Sequence, residues 1–315
     1  MRHRTKITIL FLLAIVLVAL FLFTDLRNAA YVLPRRTMKV LAIIVTGTAI
    51  ALATLIFQTI TNNRILTPSM IGLDSLYLLL QTFIIFIFGS THLTLMNKYV
   101  NFGLSLVFMV GFALILYRFL FKKEGQPIYL LLLVGIILGT LFESLSSFMQ
   151  VLIDPNEFQV VQDKMFASFN NVNTELLYIS IGVLVVTFLC MMRDMKYLDV
   201  LSLGRSHAVN LGVPYEAVVK RLLIMVTIFI AVATALVGPI TFLGLLVVNI
   251  AYHFLPTYRH SLLMIGSSLI AIIALVGGQW MVERVFTFST TISVIINFAG
   301  GLYFIHLLLK ENRLS

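Results

Sequence analysis

The chain is poor in cysteine and in charge, and it lacks the short motifs that mark most enzymes. Its single cysteine, Cys190, lies inside an apolar run, which excludes a disulfide framework and a cysteine-based metal site. Only 11% of the residues are charged while 60% are hydrophobic. That balance excludes an ordinary soluble domain, where about a quarter of residues are charged. The six histidines, at 3, 92, 207, 253, 260 and 306, form no HExxH and no pair four apart, so no metal centre is expected. There is no GxxxxGKS or GxxxxGKT loop and no GxSxG elbow; ATP binding by this chain and elbow-type hydrolysis are not expected. The formal charge of +9 does not imply nucleic acid, because the cations are scattered over short loops with no basic domain to carry them.

What the chain does have is hydrocarbon in long runs. A helix needs roughly 20 apolar residues to cross a bilayer. On that measure spans fall near 7–24, 38–57, 73–90, 101–121, 128–153, 175–192, 222–238, 241–255, 262–281 and 291–309. Residues 1–315 therefore read as one all-α membrane domain of about ten transmembrane helices. Leu222–Leu255 is too long for one upright helix, and Gly238-Pro239 divides it. The first run follows a basic start but is longer than a signal-peptide core and has no small-x-small site directly after it, so it reads as a retained helix.

Ten spans put both termini on one side. With the N-terminus inside, 15 of the 22 Lys and Arg fall in cytoplasmic segments and 7 outside, the latter being Arg27, Arg35, Arg36, Lys39, Lys98, Lys164 and Arg284. Excess positive charge marks the cytoplasmic side, so both termini are expected there. The longest polar interruption, Arg193–Arg221, lies on that side too. Within it Ser202 reads as the N-cap of a short helix through Arg205, Ala208 and Val209, with Gly212 as its C′ residue. Pro214 then starts a second helix with Glu216 in its first turn. Such a piece suits contact with another protein; the plainer alternative is a connecting loop.

Inside the spans, Gly135 and Gly139 form a GxxxG, and Gly47, Ala51 and Thr54 share a face, patterns of close helix packing. The polar residues there are Gln81, Glu143, Asn249, Gln279 and Asn297. Glu143 is the sharpest. It either faces a water-filled path or hydrogen-bonds to a neighbouring helix.

Several stretches together resemble the permease subunits of the vitamin B12 and ferric-siderophore ABC importers. YVLPRRTMKVL is similar to an L-R-L-P-R segment, keeping Pro34 and Arg35 with Val32 at the first arginine. NRILTPSMIGLDS is similar to N-P-L-A-x-P-x-x-L-G-x-S, keeping Asn63, Pro68 and Gly72. DKMFASFNNVN resembles a W-x-x-G-S-L segment, without its Trp and Gly. LGRSHAVNLGV resembles L-G-x-x-x-A-x-x-L-G-V, keeping Leu203, Gly204, Ala208, Leu211, Gly212 and Val213. VGPITFLGLLVVNIAY resembles G-x-I-x-F-V-G-L-x-x-P-H-x-x-R, keeping Gly238, Ile240, Phe242, Gly244 and Leu245, with Val248, Asn249 and Tyr252 at the Pro, His and Arg.

This resemblance implies a permease translocating ferric siderophore, working with a second permease subunit, two cytoplasmic ATP-binding subunits that use the ATP, and an extracytoplasmic binding protein in a bacterial cell membrane. It implies that Ser202, Leu203, Gly204, Arg205, Ala208, Leu211, Gly212, Val213 and Pro214 form a coupling helix between the sixth and seventh spans that meets the ATPase. Arg35 becomes a docking residue for the binding protein, with Arg36 and Arg284 as substitutes for the arginine missing at Val32, and Glu143 a candidate for the path. NRILTPSMIGLDSLYLLLQT is most similar to the subgroup for catecholate siderophores such as petrobactin, whose members pair with a non-identical permease. The rival class is an ion-gradient-driven secondary transporter. It would require coupled intramembrane carboxylates and inverted repeats, where this sequence offers one carboxylate and no clear repeat.

Overall fold

The computed structural model describes residues 3–24, 29–89, 97–120, 128–170 and 172–311. Of the Lys and Arg counted above, Arg2, Arg27, Lys122, Lys123 and Arg313 lie outside these, as does His92. The described residues form twelve α-helices and one 3-10 turn. In chain order they are α1 (His3–Phe23), α2 (Ala29–Thr61), the 3-10 turn Pro68–Ile71, α3 (Leu73–Phe88), α4 (Lys98–Leu120), α5 (Tyr129–Leu152) and α6 (Pro155–Met165). There follow α7 (Thr174–Leu201), α8 (Arg205–Asn210), α9 (Tyr215–Val237), α10 (Leu243–Phe254), α11 (His260–Arg284) and α12 (Ile292–Glu311). Among the described residues seven helices are long and apolar enough to cross a membrane, namely α1, α2, α4, α5, α7, α9 and α11, while α3, α10 and the Ile292–His306 part of α12 are shorter apolar stretches.

α2 is the axis of the bundle. Its most apolar window is 78% buried, against 17% for α1, and it packs on α7, α9, α10 and α11. Small residues allow this. A Cβ on Gly47 would lie 3.0 Å from the Leu275 side chain of α11, and Gly244 of α10 has no room for a Cβ beside Thr54. The outer helices turn large apolar side chains outward, among them Phe11 and Leu12 of α1, Val107 and Ile115 of α4, Phe148 and Val151 of α5 and Val186 of α7. So much exposed hydrocarbon suits contact with lipid or a partner subunit rather than water.

Three departures from the sequence reading have physical causes. α7 runs nine residues past Met192, because Arg193–Leu201 contains no Gly or Pro and buries Asp194, Leu198 and Leu201 on one face. Polarity interrupts a hydropathy profile without interrupting a helix. α6 is an additional amphipathic helix; the Asp154 side chain accepts from the Asn156 N–H at its N-terminus and Pro155 opens it. The GxxxG of α5 meets a turn and not another helix. A Cβ on Gly135 would approach Ile71 Cα to 2.7 Å, and one on Gly139 would approach Gly72 Cα to 3.2 Å.

Candidate functional site: two ends of one bundle

α7 delivers the chain into a tight corner. Ser202 has helical φ/ψ and ends α7; its hydroxyl donates to the Asp199 carbonyl at 2.7 Å. It is not the N-cap of α8, as the sequence suggested. That place belongs to Gly204 at φ +94°. α8 then closes in a Schellman motif, with Val213 N–H on the Ala208 carbonyl (3.0 Å) and Gly212 N–H on the Val209 carbonyl (2.9 Å). Gly212 supplies the left-handed residue this requires, φ +79°. Pro214 caps α9, and Glu216 sits in its first turn.

The segment has two faces. Ala208, Val213 and Tyr215 are buried against this chain's own core. Ala208 thus anchors α8 to the core of its own chain. Leu203, Val209 and Leu211 are instead exposed, together with Arg205 and His207. A short segment that exposes three large apolar side chains, one on the helix and one at either side of it, suits being covered by a partner.

Ionic braces hold the corner. Arg221 of α9 makes a two-pronged pair with Asp194 of α7 (2.7 and 3.0 Å), whose side chain is 2% exposed. Arg205 reaches Glu216 at 3.3 Å. Asp199 accepts both the backbone N–H of His260 (2.9 Å) and its Nδ1 (2.6 Å), and the other ring nitrogen lies 2.9 Å from the Thr59 hydroxyl. The corner is therefore tied to the ends of α2 and α11. At the same end Arg64 stacks on Tyr252, and Asn249 donates to the Arg64 carbonyl. The arginine absent at position 252 is answered by one from another element.

The opposite end is basic. Arg36 donates to the Leu22 and Thr24 carbonyls (3.2 and 2.6 Å), and Arg284 donates to Thr24 (3.1 Å). Both cations cap the C-terminus of α1, where free carbonyls attract positive charge. Arg35 alone of the three docking candidates is exposed, stacked on Tyr31. It borders a cleft of about 1040 Å³ that Lys39, Lys98, Lys164, Asn170, Asn173 and Glu283 also line. Lys39 pairs with Glu283 at 2.8 Å. Here too the chain break after α9 is held: Ser168 N–H bonds the Val237 carbonyl (2.9 Å), and Gly238, at φ +99°, lies against Ala167.

Glu143 accepts from the Ser75 hydroxyl of α3 at 2.9 Å, so it is directed to a neighbouring helix. It belongs to a row of polar links along α3. Gln81 exchanges hydrogen bonds with Asn101 and reaches Ser105, Thr82 meets Ser146, and buried Asp74 accepts from Thr234 of α9 at 3.1 Å. Asp74 escaped the sequence reading because it stands in the first turn of the span placed at 73–90, where a carboxylate reads as part of the polar helix end and not as an intramembrane group.

The profile of the FecCD transport family matches residues 5–310 of this chain. The chain belongs to that family. As a FecCD protein with seven long apolar helices it is a multi-pass cell-membrane protein and not an enzyme in its own right. It is 64% identical to the petrobactin import system permease protein YclO of Bacillus subtilis, over 99% of both chains. It is 36% identical to the petrobactin import system permease protein FatC of Bacillus anthracis, over 90% of this chain and 80% of that one. Its fold is similar to a solved metal-chelate type ABC transporter in an inward-facing conformation, with a TM-score of 0.82 and 22% identity over 98% of this chain and 99% of that chain.

Proposed function

We propose that this FecCD protein is the permease subunit of an ATP-driven importer of ferric siderophore, of the petrobactin class. The observation that carries the reading is its identity with a petrobactin permease from end to end of both chains. Seven long and three shorter apolar helices support a ten-span topology. The excess of Lys and Arg at the α7–α9 end supports a cytoplasmic coupling corner and cytoplasmic termini. The corner presents Leu203, Val209 and Leu211 to an ATP-binding subunit, which supplies the ATP; this chain binds no cofactor. Arg35 meets acidic groups of an extracytoplasmic binding protein. A second, non-identical permease completes the path, a pairing supported by the two petrobactin permeases, FatC and FatD, of Bacillus anthracis.

Uptake of radio-iron petrobactin into sealed vesicles holding the assembled complex tests the reading. Uptake is expected with internal ATP and with the ion gradient collapsed. Uptake that needs the gradient and ignores ATP points instead to a secondary transporter.

A further inference from the structure

Among the described residues, the basic end holds two cations that make no ion pair. Lys98 opens α4 and Lys164 lies in the last turn of α6, and both line the 1040 Å³ cleft. Among the described residues no carboxylate lies within ion-pair distance of either ammonium. Burial pushes the Lys164 ammonium below its ordinary value; Asp163 opposes this through space and Lys98 adds to it.

The polar lining is donor-rich for a second reason. Asn170 commits its carbonyl oxygen to Lys39 and Gln279, and Asn173 commits its own to the first N–H groups of α7. Each amide is left with its NH2 group to offer. Glu283, the acidic residue of the lining, is already engaged by Lys39 and Gln279. A partly buried concavity offering cations and N–H donors fits a ligand with several anionic oxygens. Its volume suits a molecule of drug size. Lys164 also lines a second cavity of about 400 Å³ that Tyr77, Phe166 and Gly238 border, so a ligand at Lys164 stands at the junction of two spaces.

We infer that this cleft receives the iron chelate itself, an anionic complex whose oxygens are held by Lys98, Lys164 and the two asparagine amides. The inference rests on the import reading above and separates the two lysines from Arg35, which faces the binding protein.

The test uses the complete complex in nanodiscs with radio-iron petrobactin as probe and a neutral ferric trihydroxamate as comparison. Without binding protein, the parent should bind the anionic chelate more weakly as salt rises, and the neutral chelate poorly throughout. The pair Lys98→Gln and Lys164→Gln should lose about tenfold in affinity for the anionic chelate and keep its affinity for the binding protein. Lys98→Arg with Lys164→Arg should retain both. Unchanged chelate binding in the glutamine pair overturns the proposal. So does a loss of binding-protein affinity in step with uptake, which would make the cleft a protein-docking surface. Should the glutamine pair fail to assemble, the parent's salt series decides: binding indifferent to salt sinks the idea. The import reading fails separately, if the parent does not carry ferric petrobactin with ATP and binding protein present.

Discussion

At Gly212 the backbone takes φ +79° with nothing within 4 Å of where a Cβ would sit, so substitution there probes conformation and no packing. A β-branched residue opposes that φ by roughly 1–2 kcal/mol. Gly212→Val is expected to lower substrate-stimulated ATP hydrolysis and uptake together, while binding-protein affinity, measured separately, stays at the parent value. Arg221→Ala removes the partner of a buried carboxylate and should cost about 3 kcal/mol, read as a lower Tm of the purified protein, with Arg221→Lys recovering part of it. Arg35 is exposed, so its ion pairs are worth about 0–1 kcal/mol each. Arg35→Glu, a reversal, should weaken binding-protein affinity at low salt and less so at high salt. Equal affinity at low salt would remove Arg35 from the docking surface. The residue-level reading of the sequence was right about Gly212 and wrong about Ser202, because an N-cap needs non-helical φ/ψ of its own and Ser202 had no way to announce that α7 was still running through it.

Among elements, α5 and the Pro68–Ile71 turn show what a GxxxG can do besides pairing helices. Gly135→Ala should force the turn away and cost about 1–3 kcal/mol, whereas Gly103→Ala on α4, where nothing lies within 4 Å, should be neutral or slightly stabilising. Thermal unfolding of the two variants in the same detergent distinguishes them. Most helices were legible because each needs an apolar run of bilayer length. What escaped was the helix that such a search passes over: α6, announced by Asp154-Pro155 and Glu157, signals of a helix start rather than of a span. The extension of α7 was also written in the chain, as Met191, Asp194, Leu198 and Leu201 at helical spacing. The basic cleft was not, since Lys98, Lys164 and Asn170 come from separate elements whose meeting only the packing decides.

For the molecule as a whole, the exposed apolar side chains of the corner give the sharpest prediction. Leu203→Asp with Leu211→Asp should fold and insert normally, both side chains being exposed, and should lose copurification of the ATP-binding subunit along with uptake. Retained copurification with normal transport would reduce the corner to a connector. One feature of α9 carries further. Near its start it is tied to α7 by the two-pronged Arg221–Asp194 pair, and its last residue, Val237, is hydrogen-bonded to Ser168 just past the end of α6. It is a strut of about 35 Å with a fixed joint at each end and no proline between. A push at the corner would therefore be expected to reach the far side of the bundle as displacement of the 166–168 turn and not as bending. Lys164 lies in the last turn of α6, next to that turn, so if α8 couples to an ATPase as proposed, a stroke there would tilt the floor of the proposed chelate cleft.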